Sequence, residues 1–166
     1  MNSRLPAGFD THRVRHWLAF GLGSGLAPRA PGTLGSLAAL PFFLLWMPMS
    51  RLGFALSMLV FFLLASWICE RTSRDLGVHD HGGIVIDEFL GQWLALSPLL
   101  QRSLSATSFA LMLLGFVFFR FFDILKPGPI AWLDRHVHGG LGIMLDDVLA
   151  GIAAAVCLQL VLLLLP

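Results

Sequence analysis

The stretch Leu52 to Cys69, LGFALSMLVFFLLASWIC, runs for eighteen residues without a charged side chain. A helix needs roughly 20 predominantly apolar residues to cross a hydrocarbon core. Further hydrophobic segments occupy Leu34 to Met49, Ile84 to Leu100, Leu104 to Phe119 and Val148 to Leu165, of which only Ile84 to Leu100 holds charged residues, Asp87 and Glu88. Of 166 residues, 57% are hydrophobic and 13% charged, too little polar surface for a water-soluble domain of this size. The bilayer is therefore the expected solvent. The expected fold is all-α: a polytopic helical membrane protein with about five hydrophobic helices and an N-terminal interfacial helix, forming one domain. In that reading residues 1–33 are a cytoplasmic arm with a glycine-rich loop, and residues 34–166 supply the membrane helices and the site loops.

The other segments fill in this outline. Pro41 and Pro48 interrupt the first run, which either crosses straight or enters and turns back. Asp10 to Phe20 places Val14, Trp17 and Leu18 on one helical face and Arg13, Arg15 and His16 elsewhere, the pattern of a helix lying on a membrane surface. No basic region, short apolar run and small-residue cleavage site opens the sequence, so the first membrane segment is expected to be retained. Cys69 and Cys157 lie in apolar runs and read as buried, inert thiols. A net charge of +1 with scattered basic residues gives no expectation of nucleic-acid binding.

Five crossings put the N-terminal arm, Glu70 to Gly83 and Arg120 to Leu145 on one side. The tight connections Met49 to Arg51 and Gln101 to Ser103, with the C-terminus, fall on the other. Of eleven basic residues only Arg51 and Arg102 lie on the second side, so the positive-inside bias makes the first side cytoplasmic. All ten acidic residues fall on that first side as well. Acids contribute little to topology, so their collection on one face points to a use for carboxylates.

Two stretches resemble each other: HDHGGIVIDEFLG, His79 to Gly91, and HVHGGLGIMLDDVLAG, His136 to Gly151. Each reads H-x-H-G-G, a few apolar residues, two adjacent acids, then glycine. Asp87, Glu88, Asp146 and Asp147 begin or lie within hydrophobic segments, where an uncompensated charge costs about 3 kcal/mol on insertion scales. Asp123 sits likewise at the inner end of the fourth segment. The plain structural reading has Asp146 and Asp147 capping a helix and Asp123 pairing with Arg120 or Lys126. A cap needs one acid, whereas here are two pairs and a fifth. Carboxylates brought together require protons or cations, and hard oxygen ligands without a thiolate cluster suit Mg²⁺. Mg²⁺ is commonly shared with phosphate oxygens, which points to phosphoryl chemistry.

Around these acids stand candidate phosphate-binding groups. The loop Gly21 to Ser36 offers backbone N–H groups, the hydroxyls of Ser24, Thr33 and Ser36, and the guanidinium of Arg29; it reads equally as a flexible entry loop. Arg120 and Lys126 offset phosphate charge or snorkel to the interface. His79, His81, His136 and His138 suit metal, phosphate, proton transfer or a structural role. Neither cysteine has the spacing of a cysteine-phosphatase loop, and no Asp-x-Asp motif is present. CDP-alcohol phosphotransferases carry acids four residues apart on one helix, whereas these are adjacent pairs.

Four blocks, GLGSGLAPRAPGTLGSLAALP (21–41), GVHDHGGIVIDEFLG (77–91), FRFFDILKPGPIAWLDR (119–135) and VHGGLGIMLDDVLAG (137–151), together resemble the phosphatidylglycerophosphatase A family of bacterial inner-membrane enzymes. The resemblance implies Mg²⁺-dependent removal of the terminal phosphate of phosphatidylglycerophosphate, giving phosphatidylglycerol and inorganic phosphate. It implies placement in the inner membrane, with Asp87, Glu88, Asp123, Asp146 and Asp147 holding metal and carrying catalysis, and the lipid as partner. A membrane transporter for divalent cations or small solutes is the rival reading of the same carboxylates. The sequence leaves the oligomeric state and the number of ions open.

Overall fold

A computed structural model describes residues 5–78 and 81–165. The described residues form seven α-helices and no β-strand: α1 (Val14–Ala19), α2 (Pro31–Trp46), α3 (Arg51–Leu76), α4 (Ile86–Ala95), α5 (Ala106–Leu125), α6 (Pro129–His136) and α7 (Gly139–Leu164). Local chemistry sets several ends. Pro31 opens α2 at a position where its missing N–H costs nothing. The Ser50 hydroxyl accepts the Gly53 N–H at 3.1 Å to start α3, which stops at Gly77 in the left-handed region, φ +69°. Ser105 caps α5 in the same way through the Ser108 N–H at 3.2 Å.

Three helices, α3, α5 and α7, are long and apolar enough to cross a membrane, and only 28% of each apolar window is buried. Their outward faces, with residues such as Leu56, Leu63, Val117 and Val156, are large and hydrophobic. At 1.5 Å per residue α3 and α7 reach about 39 Å and α5 about 30 Å. The first hydrophobic segment is one continuous helix of 16 residues that holds Pro41 inside it, so no turn-back divides it. The third segment differs from the expected crossing. Its helix, α4, has 10 residues, and a 3₁₀ turn at Ser97–Leu99 follows. Most of α4 is buried among α2, α3, α5 and α7, so it lies inside protein and its irregular continuation stays paired: the Gln101 N–H donates to the Met47 carbonyl at 2.6 Å.

The N-terminal helix is also shorter than Asp10 to Phe20. Val14 and Leu18 are exposed, as a surface helix requires, while His16, Ala19 and Phe20 are buried. His16 Nδ1 accepts the Asp10 N–H at 2.9 Å, so Nε2 holds the proton and donates to Asp75 Oδ2, also at 2.9 Å. Arg13 and Arg15 donate to the same oxygen. Residues that read as the polar face of an interfacial helix thus latch the arm to the end of α3.

A close backbone approach that positions the acidic residues lies between α4 and α7. A Cβ on Gly151 would overlap the Gly91 carbonyl oxygen; one on Gly91 would stand 2.8 Å from the Asp147 carbonyl oxygen and 2.5 Å from the ring of fully buried Phe119 on α5. Gly151→Val is therefore expected to lower the unfolding midpoint in detergent, at an overpacking cost of roughly 1–3 kcal/mol. Leu163→Val, on the exposed side of the same helix, should leave the midpoint essentially unchanged; circular-dichroism melts of the two variants make the comparison.

Candidate active site

The acids come together because of where each stands relative to that crossing. Asp87 and Glu88 occupy the first turn of α4, one turn before Gly91. Asp147 stands one turn before Gly151, two turns inside α7. Asp123 is one turn beyond Phe119 on α5, which runs the opposite way. Each helix therefore directs its carboxylate toward the same end of the bundle.

One oxygen each from Asp87, Glu88 and Asp147 lies within 4.8 Å of the others. Asp87 Oδ1, Glu88 Oε2 and Asp147 Oδ2 are buried without a hydrogen-bond partner. At that separation and an effective dielectric near 20, two like charges repel by roughly 3–4 kcal/mol. Asp123 and Asp146 share the cavity but are compensated: Asp123 forms an ion pair with Arg120, and Lys126 Nζ donates to Asp146 Oδ2 at 2.6 Å. The cavity measures about 390 Å³ and is also lined by His138 and Lys126.

The remaining predicted groups divide. Ser36, buried near the start of α2, donates to the Gly32 carbonyl at 2.8 Å and accepts from Arg120 Nη1 at 3.2 Å. A Cβ on Gly32 would run into Glu88 Oε1, so the N-terminus of α2 abuts the carboxylates, with Thr33 in its first turn. Ser24 instead donates to the Gly21 carbonyl at 2.8 Å, and Arg29 is exposed; neither lines the cavity. The glycine-rich loop packs on backbone, because a Cβ on Gly25 would overlap the Gly83 carbonyl oxygen. His81 accepts the Gly83 N–H at Nδ1, 3.0 Å, and its ring faces Phe20, 5.5 Å between centroids. His136 stacks on Trp132 at 4.7 Å. His79 lies outside the described residues.

The two H-x-H-G-G stretches differ locally: one helix starts at Ile86, directly before its acids, the other at Gly139, well ahead of them. Asp146 and Asp147 are consequently not caps. The first turn of α7 is met by Glu70 of α3, whose Oε2 accepts the Gly140 N–H at 2.8 Å while its Oε1 accepts from Arg74 at 2.9 Å. In the sequence Glu70 shows only its i,i+4 spacing to Arg74, an ordinary surface pair; nothing local announces the long-range contact.

The family model described as Phosphatidylglycerophosphatase A matches residues 17–162. Phosphatidylglycerophosphatase A of Escherichia coli (strain K12) is 48% identical over 143 residues, 84% of this chain and 78% of that protein. The Haemophilus influenzae protein of the same name is 45% identical over 144 residues, 85% of this chain and 84% of its own. A putative phosphatidylinositol-3-phosphatase of Bacteroides thetaiotaomicron is 34% identical over 140 residues, 80% of this chain and 83% of its own. No solved structure matches the chain.

The charge distribution predicts opposite responses at neighbouring residues. Without divalent ions, Asp147→Asn should raise the unfolding midpoint by relieving repulsion from Asp87 and Glu88. Lys126→Met removes the ammonium from Asp146 and should lower the midpoint, by roughly 1–3 kcal/mol. Thermal melts in a chelator read both.

Proposed function

The chain belongs to the phosphatidylglycerophosphatase A family, and we propose that its carboxylate cavity hydrolyses the terminal phosphomonoester of phosphatidylglycerophosphate with Mg²⁺ at the cytoplasmic face of a bacterial inner membrane. The observation that carries this reading is the convergence of Asp87, Glu88 and Asp147 from two helices, with one buried oxygen of each lacking a hydrogen-bond partner. Three hard oxygen donors with no thiolate beside them fit a magnesium ion. Bound there, the ion supplies positive charge to phosphoryl oxygens and makes water a better nucleophile.

The chain's own residues account for the rest. Asp87, Glu88 and Asp147 hold the cation. Lys126, oriented by Asp146, presents an ammonium to the phosphoryl oxygens from the cavity wall. Arg120, fixed between Asp123 and Ser36, keeps a second cation beside the start of α2. Hydrolysis forms one bond from a water oxygen to phosphorus and breaks the bond from phosphorus to the glycerol oxygen. A carboxylate of the cluster takes the water proton and returns it to the departing glycerol oxygen, which leaves as the alcohol.

Placement of the acids at one end of the bundle, away from the hairpins at Met47–Ser50 and Gln101–Ser105, favours this reading over ion transport, which requires access from both faces. The name of the Bacteroides relative raises a second lipid phosphomonoester, the 3-phosphate of phosphatidylinositol, as substrate. Purified protein offered phosphatidylglycerophosphate, phosphatidic acid and phosphatidylinositol 3-phosphate, with Mg²⁺ or with chelator, separates these readings. The expected result is phosphate release from the first lipid, dependent on Mg²⁺ and abolished in Asp87→Asn with folding retained. Lys126→Met should lose about 10–100-fold. Full turnover by Asp87→Asn would remove the carboxylates from the chemistry, and faster release from the inositol lipid would reassign the substrate.

A further inference from the structure

The acid cavity is not the only hollow at this end of the bundle. A second cavity of about 420 Å³ opens between α3 and α7, and His138 lines both. The rest of its wall has a different character. Trp67 and Leu141, 54% and 52% exposed, form its rim on the outward faces of two membrane-length helices. Its inner wall is made where α3 and α7 nearly touch, since a Cβ on Gly140 would overlap the Ser66 carbonyl oxygen. Glu70 stands in this cavity with its carboxylate engaged by the Gly140 N–H and Arg74. Toward the water side of the rim, the Arg71 guanidinium lies 6.0 Å from the Trp67 ring centroid, a cation held on an aromatic face.

A lipid phosphatase must bring a charged phosphate to buried carboxylates while two acyl chains stay in hydrocarbon. An opening to water alone would force the lipid out of the bilayer, so the site needs a sideways exit between membrane helices. Resting on the phosphatase reading above, we propose that the α3–α7 cavity is that lateral port. The diacylglyceryl end of the substrate lies between Trp67 and Leu141, and the terminal phosphate reaches past His138 to Asp87, Glu88 and Asp147. The phosphodiester that joins the two halves falls at the water-side rim, where Arg71 supplies positive charge. His138 is thereby a positioning residue at the junction of the two cavities.

The test fills the port without touching the acids. Leu141 is exposed, so Leu141→Trp adds bulk at the rim without disturbing a packed core; Leu113→Trp places the same bulk on the exposed face of α5. Each variant is assayed with Mg²⁺ on phosphatidylglycerophosphate in mixed micelles and on the same headgroup with its acyl chains removed. The ratio of kcat/KM for the lipid to that for the deacylated compound should fall roughly tenfold or more in Leu141→Trp and stay unchanged in Leu113→Trp. A second measurement uses the lipid with a photoactivatable diazirine near the glycerol end of an acyl chain; crosslinks competed by unlabelled substrate should map to the segments around Trp67 and Leu141. An unchanged ratio in Leu141→Trp, or competed crosslinks confined to the outer face of α5, overturns the port and leaves the phosphatase reading standing. Absence of phosphate release from either compound by the unmodified protein overturns the phosphatase reading itself, and the port with it.

Discussion

The site depends on two helix backbones meeting with nothing between them. At Gly91 and Gly151 the absence of a Cβ lets α4 and α7 approach until the carbonyl of one occupies the space a side chain would need on the other. One turn away from each glycine stands an acid, so backbone contact at the crossing becomes carboxylate contact at the rim. Phe119 closes the third side of the crossing from α5 and carries Asp123 one turn farther on. Acids followed after one turn by glycine are thus a single device: the glycine sets the separation and the acids exploit it. A bulkier residue at either glycine would force the two helices apart, and the carboxylates one turn away with them.

The membrane setting explains why the device is built around a helix as short as α4. Charges on a lipid-facing helix are costly, and a helix that ends midway leaves carbonyls that hydrocarbon cannot satisfy. Surrounding α4 with α2, α3, α5 and α7 removes both difficulties. Its carboxylates face a polar cavity, and its continuation finds a protein partner in the Met47 carbonyl. The long helices meanwhile turn their large apolar side chains outward.

Much of this was legible from residue order, and the failures have physical causes. Uncharged runs such as Leu52 to Cys69 announced membrane-length helices because hydrocarbon imposes one requirement on every outward residue. The same property hid the length of α4: burial in protein and burial in lipid both select apolar residues, and a run such as Ile84 to Leu100 does not say which surrounds it. The depth of Asp146 and Asp147 was hidden because the start of α7 is met by Glu70, seventy residues earlier in the chain. Glycine and hydroxyl content made Gly21 to Ser36 resemble a phosphate cradle. Its first half instead uses missing side chains to pack against Gly83, and only the end carrying Ser36 reaches the carboxylates through Arg120. Arg13, Arg15 and His16 likewise had an ordinary solvent-facing interpretation, which the distant Asp75 displaces.

The division of the acids into compensated and uncompensated members bears on how a phosphate enters. Arg120 balances Asp123 and Lys126 balances Asp146, so neither pair contributes much net charge to the cavity. Asp87, Glu88 and Asp147 remain, three negative charges when fully ionised. One divalent cation would leave that trio one charge negative, which still opposes a phosphate dianion. Further positive charge, from a second cation or from a proton on one carboxylate, is needed before the dianion is attracted. Lys126 can then act on the substrate only by sharing the ammonium that Asp146 holds, which is reason for that pair to lie at the cavity wall and not deeper in the bundle. The polar half of the site is therefore short of positive charge, and under the metal-dependent reading proposed above an anionic ligand would enter only together with a cation gathered by the carboxylates.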